Sequence, residues 1–335
     1  MRIRPPATQE QRSELKAVLQ RFERPEVVLD LARRCLNGGG IEPATFSCTL
    51  QSRHPDRFVM RMQVRSGAGE ERDYALKVYA DDFGEQMWTL GNSLAERLPR
   101  NHDGLWLPCQ YMREARTLVF AWVKGTRLSE IVDERKPELL RRAATLAARL
   151  HRTLETAVPT LTVDMVVAET LDRCGHLCCR GPSLEVTVRP LARLLQRAAA
   201  ELDPARPTLI HGDLAAGQFL WTGDRLVLLD MDTACRGDAA YDVGHFLGQL
   251  ERGLVTDDGL PAHAASWPAC FRDAYPAAEL GVSWRNVAFY QGVTLLRKAF
   301  TLCQRDPVGG PRLAVRLAER ARAALESVAA PVSIR

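Results

Sequence analysis

Three oxygen-bearing side chains have a spacing that suits phosphate chemistry. Asp213 lies on the loop after the predicted strand that ends at Ile210, Gln218 begins a second strand, and Asp230 closes a third. A hard cation such as Mg²⁺ prefers carboxylate and amide oxygens and brings the phosphates of a nucleotide with it. A separate carboxylate, five residues before the amide, can then meet an incoming hydroxyl. The metal and the acceptor hydroxyl would therefore be held by different residues.

This layout resembles the catalytic core of the aminoglycoside phosphotransferase family, the small-molecule branch of the protein-kinase-like fold. The shared features are the His211-Gly212-Asp213 loop, an amide five positions later and an Asp that closes the next strand. The resemblance implies that Asp213 is the catalytic residue and that Gln218 and Asp230 bind Mg²⁺. Gln218 replaces the Asn usual in the family and offers the same amide oxygen on a longer arm.

The segment after Asp230 extends the resemblance. Its run Arg236–Phe246 is similar to the family's Gly-Asp-Pro-Ala-x-Asp motif, which opens a helix. The resemblance implies that Asp242 is buried in the first turn, where a carboxylate is favoured, and accepts hydrogen bonds from the catalytic-loop backbone. We interpret His211 as a packing and hydrogen-bonding residue of that loop. Asp232 alternates with Asp230 and could exchange roles with it, but the end of the apolar run favours Asp230.

An N-terminal lobe must hold the nucleotide from the other side. Residues 57–65 and 74–79 alternate between apolar and polar side chains, which predicts two strands. Leu76 and Val78 would face a core and turn Lys77 to the opposite face. The resemblance places there the lysine that holds the α- and β-phosphates of ATP. The implied fold class is α+β, a bilobal kinase-like fold with a small β-rich N-lobe and a larger helical C-lobe.

A glutamate on the next predicted helix, residues 83–98, should pair with Lys77. We favour Glu85, which precedes the apolar series and can reach back to the sheet, over Glu96 at the far end of the helix. The phosphate-covering segment 51–57 has no glycine, so we expect backbone amides and Ser52 to contact the phosphates.

The predicted strand 117–123 resembles the family's hinge, which implies that the adenine hydrogen-bonds to backbone groups near Ala121 and Val123. The helix that follows, residues 138–153, has one apolar face and carries His151, which we interpret as a packing residue. We therefore place the lobe boundary after Val123, with an N-lobe over 1–123 and a C-lobe over 124–335.

Composition favours a cytoplasmic enzyme. The 335 residues are 46% hydrophobic, with a net charge of +4, and can bury a sizeable core. Nine scattered cysteines, an odd number, suit reduced thiols better than a disulfide framework. No stretch predicts a membrane span or a secretory signal, and the dispersed basic residues do not indicate a nucleic-acid partner. Oligomeric state is left open.

The C-terminal part is helical in pattern, with its clearest helix at 286–300, and the resemblance implies that it forms the wall of the acceptor pocket. From Ala239 onward it carries nine acidic and eleven basic residues, a balance that suits a neutral or anionic acceptor at least as well as a polycation. We expect an ATP-dependent O-phosphotransferase that acts on a sugar, a metabolite or an antibiotic. One alternative is a catalytically weak nucleotide-binding pseudokinase. The other is a protein Ser/Thr kinase, which is disfavoured because this chain has Gly212 where protein kinases have an Arg and Asp230-Met231-Asp232 where they have Asp-Phe-Gly.

Overall fold

The computed structural model describes residues 7–36, 43–67, 69–97, 102–154 and 157–330. The chain divides into two compact units. The N-terminal unit consists of Arg2–Asn101 and Leu105–Gly125, and the C-terminal unit of His102–Gly104 and Thr126–Arg335. The first is rich in β-sheet and the second is mainly helical, so the predicted α+β, kinase-like fold class is confirmed.

The first part of the chain supplies the elements of the N-terminal unit, together with one short strand that begins at Gly104 of the C-terminal unit. Up to Gly125 the helices and strands are, in chain order, α1 (Gln9–Arg21), α2 (Pro25–Leu36), β1 (Pro43–Arg53), β2 (Arg57–Ser66), β3 (Glu71–Tyr79), α3 (Phe83–Arg97), β4 (Gly104–Leu105), β5 (Gln110–Met112) and β6 (Thr117–Ala121). The predicted strands 57–65 and 74–79 and the predicted helix 83–98 are confirmed as β2, β3 and α3.

The N-terminal unit is built on a five-stranded antiparallel sheet in the order β1-β2-β3-β6-β5. Alternation along β2 buries Phe58 and Met60 on one face, as a period of two requires. Helices α1 and α2 pack on that core, where Phe22 meets Phe58 edge-on with ring centroids 5.6 Å apart. The sheet is thereby covered on this side by apolar side chains.

The C-terminal unit contains the remaining elements. They are β7 (Thr126–Arg127), α4 (Lys136–His151), α5 (Val163–Cys178), α6 (Pro182–Ala200), β8 (Thr208–Ile210), β9 (Phe219–Trp221), β10 (Leu226–Leu228), β11 (Cys235–Gly237), α7 (Ala239–Thr256), α8 (Trp267–Ala274), α9 (Ala277–Leu280), α10 (Trp284–Arg305) and α11 (Gly310–Ala329). The predicted helices 138–153 and 286–300 are confirmed as α4 and α10. Among the described residues, no helix has both the length and the apolar character needed to cross a membrane.

Helices α7 and α10 pack closely in the C-terminal unit. A Cβ atom on Gly244 of α7 would lie 2.5 Å from the carbonyl oxygen of Val287, so only glycine permits this approach. The short strands form a sheet in the order β4-β10-β9-β7 and a β11-β8 ribbon, and these two small sheets present the loops that carry the predicted site.

Asp103 fastens the short segment His102–Gly104 to the C-terminal unit. Its carboxylate pairs with Arg142 of α4, with 2.8 Å between Nε and Oδ2, and accepts a hydrogen bond from the Leu226 backbone N–H at 2.6 Å. Its carbonyl oxygen accepts another from Arg149 at 2.9 Å. Asp103 thus joins α4 to the first residue of β10.

Lys136, at the start of α4, is a buried cation. Its ammonium donates a hydrogen bond to the Leu128 carbonyl oxygen and lies 4.8 Å from the ring centroid of Trp267. Burial lowers the pKa of Lys136 to about 8, although the nearby Asp133 charge opposes the shift.

Candidate active site

The loop that carries Asp213 is compressed against the segment after β10. Gly212 has a φ of +78°, and a Cβ atom there would lie 2.2 Å from the Thr233 carbonyl oxygen. Thr233 Oγ1 also donates to the His211 carbonyl oxygen at 2.8 Å. The Gly between His211 and Asp213 is therefore required by both backbone conformation and space.

Asp242 anchors this loop from the first turn of α7. Its carboxylate is fully buried and accepts hydrogen bonds from the backbone N–H groups of His211, at 2.6 Å, and Gly212, at 2.9 Å. Burial disfavours the charge, but the hydrogen bond and charge of His151 and the charge and backbone N–H of His211 hold the pKa of Asp242 below its ordinary value. The prediction that Asp242 supports the catalytic loop is confirmed.

Two buried histidines complete this support. His211 Nε2 lies 2.8 Å from the Leu229 carbonyl oxygen, so the interpretation of His211 as a hydrogen-bonding loop residue is confirmed. His151 does more than pack, because its Nε2 lies 3.1 Å from Asp242 Oδ2 and its Nδ1 lies 2.7 Å from the Tyr275 hydroxyl. His151 thereby links α4 to the carboxylate that holds the loop.

Asp213 is held through both of its carboxylate oxygens. Oδ1 lies 3.3 Å from Nε2 of His245, and Oδ2 accepts a hydrogen bond from the Gln218 amide at 3.2 Å. Burial alone would raise the pKa of Asp213, but the hydrogen bond from His245, together with His211, holds it well below its ordinary value. Asp213 is accordingly an ionised acceptor at neutral pH.

His245 was not singled out by the sequence analysis. It is buried in α7, and burial lowers its pKa while the Asp213 carboxylate opposes the shift. A carboxylate can only accept, so the neutral ring donates from Nε2, which leaves Nδ1 to accept from the Thr294 hydroxyl 3.1 Å away. The one sequence signal was its position three residues after Asp242, on the same side of the helix.

Gln218 directly precedes β9, and Asp230 follows the last residue of β10 by two positions. The backbone N–H of Leu229 donates to the Gln218 carbonyl oxygen at 2.8 Å, so the residue that precedes Asp230 contacts Gln218. Asp230 has a φ of +61°, an unusual conformation for a residue other than glycine, and it redirects the chain into the 3₁₀ turn Met231–Thr233. The Gln218 amide nitrogen is directed to Asp213, which leaves the amide oxygen for another partner. Amide and carboxylate oxygens, as Gln218 and Asp230 offer them, are the ligand types that fit Mg²⁺.

The N-terminal unit contains the predicted nucleotide-holding residues. Lys77 is buried in the middle of β3, between Val59 of β2 and Leu118 of β6. The carboxylate of Glu85, predicted as its partner, instead accepts two hydrogen bonds from the Arg113 guanidinium, one of them at 2.7 Å. This pairing differs from the prediction because the turn after β5 brings Arg113 to the first turn of α3.

The predicted hinge lies at the end of β6 and in the residues directly after it. The Ala121 carbonyl oxygen accepts a hydrogen bond from the Trp106 indole at 2.8 Å, and the Trp122 backbone N–H donates to the Asp73 carbonyl oxygen at 2.9 Å. Among the described residues, the Val123 backbone hydrogen-bonds to no other protein group. Of the two predicted adenine contacts, Val123 is thus the one whose backbone has no hydrogen-bond partner in the described part of the chain.

Ser52 does not lie in a loop as predicted. The strand β1 continues to Arg53 and places Ser52 opposite Val59, after a bulge at Gln51. The turn itself is formed by 54–56. The predicted phosphate-covering loop is therefore shorter than expected, and a role for Ser52 stays a prediction.

The fold is kinase-like, and comparison with known proteins gives the family. The sequence model of the APH phosphotransferase enzyme family matches residues 91–290 of this chain, so the chain belongs to that family. No curated protein sequence matches the chain significantly.

Solved structures share the fold at low sequence identity. The apoenzyme of macrolide 2'-phosphotransferase MphH from Brachybacterium faecium is 20% identical, with 88% of this chain and 97% of that one covered and a TM-score of 0.54. Spectinomycin phosphotransferase APH(9)-Ia, in complex with ADP and spectinomycin, is 12% identical, with 90% and 99% covered and a TM-score of 0.61. The GDP complex of aminoglycoside 2'-phosphotransferase-IIIa is 14% identical, with 87% and 96% covered and a TM-score of 0.57.

Proposed function

We propose that this protein is an ATP-dependent O-phosphotransferase that moves the γ-phosphate to a hydroxyl of a small molecule, such as a sugar, a metabolite or an antibiotic. The observation that carries the proposal is the Asp213 carboxylate, held by His245 and Gln218 at the end of a loop that Asp242 anchors. Family membership and the nucleotide complexes among the structural relatives support it further.

The chemistry assigned to Asp213 is orientation of the acceptor. An acceptor hydroxyl would donate its hydrogen bond to the Asp213 carboxylate, which aligns the hydroxyl oxygen with the γ-phosphorus. The new O–P bond forms as the bond from the γ-phosphorus to the bridging oxygen of ADP breaks, and the hydroxyl proton passes late to Asp213. His245 keeps the carboxylate in one orientation throughout.

The remaining predicted residues hold the nucleotide in this proposal. Lys77 would bind the α- and β-phosphates, and the Val123 backbone would meet the base. Gln218 and Asp230 would hold Mg²⁺, which supplies positive charge to the phosphate oxygens when bound. Gln218 can do this while its amide nitrogen still donates to Asp213.

The test is a coupled screen of ADP release from ATP and Mg²⁺ with hydroxylated metabolites, sugars and antibiotics as acceptors. We expect acceptor-dependent ADP formation with at least one chemical class, and a phosphorylated product of matching mass. Nucleotide binding without acceptor-dependent turnover across the whole screen would contradict the proposal and favour the pseudokinase alternative.

A further inference from the structure

Two helix faces near Asp213 carry a group of basic side chains, Arg252 of α7 and Lys298 and Arg305 of α10. On α7, His245, Gln249 and Arg252 share one face because they are four and three residues apart. On α10, Thr294, Lys298 and Arg305 share one face by the same spacing rule. The hydrogen bond between His245 and Thr294 joins the two faces.

The packing of the two helices brings the cations together. A Cβ atom on Gly244 would touch Val287, and one on Gly248 would lie 2.9 Å from Cβ of Thr294, so the helices run in the same direction in close contact. Arg252 lies one turn beyond Gly248, and Lys298 lies one turn beyond Thr294. The two cations therefore fall at the same level.

The charges of this group are not neutralised. Within the described part of the chain, no carboxylate lies within ion-pair distance of Arg252, Lys298 or Arg305, and the buried Nε of Arg252 has no hydrogen-bond acceptor. By contrast, the adjacent Arg297 pairs with Glu169 at 3.4 Å and with the Tyr241 hydroxyl at 2.9 Å.

The pKa values agree with a group of cations close to one another. Burial, together with the charges of Arg252, Arg297 and Arg305, lowers the pKa of Lys298 to about 8, against the opposing charge of Asp213. Burial, together with Arg305, also lowers the pKa of Arg252. The contacts link the group to the predicted catalytic carboxylate: His245 lies 3.3 Å from Asp213 and 3.1 Å from Thr294, and Lys298 is one turn beyond Thr294.

We propose that Arg252, Lys298 and Arg305 form an anion-binding subsite beside Asp213 that recognises a carboxylate or phosphate group on the hydroxyl acceptor. This inference rests on the proposed function. The subsite would hold the anionic end of the acceptor while the hydroxyl meets Asp213. A polycationic acceptor would meet repulsion from the same side chains.

The first test uses inorganic phosphate as the probe and does not depend on turnover. Calorimetry at constant ionic strength would compare the unmodified protein with Arg252→Gln/Arg305→Gln. The matched control is Arg193→Gln/Arg197→Gln, which removes two charges from the exposed face of α6. Thermal unfolding of each variant establishes that it is folded, and Lys298→Gln provides a second, milder variant.

We expect the Arg252→Gln/Arg305→Gln variant to bind phosphate at least about tenfold more weakly, since each lost charge-assisted hydrogen bond has a large effect. The Arg193→Gln/Arg197→Gln control should bind phosphate as the unmodified protein does. Equal affinity in the unmodified and Arg252→Gln/Arg305→Gln proteins would overturn the proposal. A Lys77→Met variant is measured as well. If this variant loses phosphate binding while Arg252→Gln/Arg305→Gln keeps it, the proposal is overturned, because the phosphate then occupies the proposed nucleotide site.

The second test compares hydroxy acids and sugar phosphates with their uncharged amide or dephosphorylated counterparts as acceptors. We expect the anionic member of the pair to have a kcat/KM at least about tenfold higher, and Arg252→Gln/Arg305→Gln to remove that preference. A preference for the uncharged or a cationic acceptor would overturn the subsite while leaving the phosphotransferase proposal intact. Phosphate binding at the subsite without any acceptor turnover would instead support the subsite and contradict the proposed function.

Discussion

His245 Nε2 lies 3.3 Å from Oδ1 of Asp213, so a histidine buried in α7 directly contacts the carboxylate predicted to be catalytic. The histidine ring is fixed on its other side by Thr294 of α10. The orientation of Asp213 consequently depends on the packing of two helices as well as on its own loop.

Replacing His245 tests this dependence. We expect His245→Ala to lower kcat by about tenfold with little change in the KM for ATP, because Asp213 loses one of the two groups that orient it. His245→Gln retains an N–H donor and should recover part of the loss. Steady-state kinetics with acceptor and ATP varied separately would check this, and an unchanged kcat in His245→Ala would assign the histidine to packing alone.

Replacing Asp213 tests the proposed catalytic role. We expect Asp213→Ala to keep its nucleotide affinity within about threefold and to lose at least about a hundredfold in kcat, because the carboxylate acts on the acceptor hydroxyl. Calorimetric titration with ATP and a turnover assay would be run on the same preparation. Weakened ATP binding with retained turnover would contradict the assignment.

The Gln218 position tests the proposed metal site. If the amide oxygen holds Mg²⁺, Gln218→Ala should raise the Mg²⁺ concentration needed for half-maximal turnover, whereas Gln218→Asn should keep much of the activity on the shorter arm usual in the family. A Mg²⁺ titration of turnover and of ATP binding separates the variants. The ligand assignment fails if Gln218→Ala follows the unmodified protein at every Mg²⁺ concentration.

The buried Asp242 should be costly to replace. Asp242→Ala leaves the backbone N–H groups of His211 and Gly212 without an acceptor, so we expect the free energy of unfolding to fall by about 2–4 kcal/mol. Asp242→Asn should also destabilise, because its amide nitrogen faces a donor. Urea unfolding would measure both, with the exposed Asp258→Asn as a control that should stay within about 0.5 kcal/mol.

Lys136 makes the free energy of unfolding depend on pH in the alkaline range. Its pKa of about 8 in the folded protein lies below that of the unfolded chain, so between about pH 8 and 10.5 the unfolded state holds more protons and stability rises with pH. We expect Lys136→Met to remove up to about 3 kcal/mol of that rise. Urea unfolding at pH 7 and pH 10 would measure the difference, and the exposed Lys16→Met should leave the rise unchanged.

Local patterns were sufficient to predict the elements around the site. The alternation in β2 and β3, the apolar face of α4 and the placement of Asp242 at a helix start are signals contained within a few residues. Partners distant in sequence were not predictable in this way. Tyr275 is 124 residues from His151, and nothing near His151 indicates that the two side chains meet.

Glu85 and Ser52 show two further limits of the sequence. The helix that carries Glu85 was predicted with nearly the observed bounds, but its ionic partner depends on where the turn after β5 places Arg113. At Ser52, polar residues indicated a loop, whereas backbone pairing with β2 continues to Arg53. In both cases the deciding contact comes from another element, which a local pattern does not contain.

The attachment of Asp103 to the C-terminal unit has a consequence for folding during synthesis. Asp103 accepts a hydrogen bond from the Leu226 N–H, and Leu226 is synthesised 123 residues after Asp103. At the usual translation rate of about 5–20 residues per second, this takes roughly 6 to 25 seconds. Strands β1, β2, β3, β5 and β6 can pair in that interval, whereas β4 and the Asp103 carboxylate lack their partners in β10 until that strand is made. A fragment begun at Thr126 would leave Arg142 and the β10 backbone without this acceptor, so the nascent chain must keep the segment His102–Gly104 to complete the C-terminal unit.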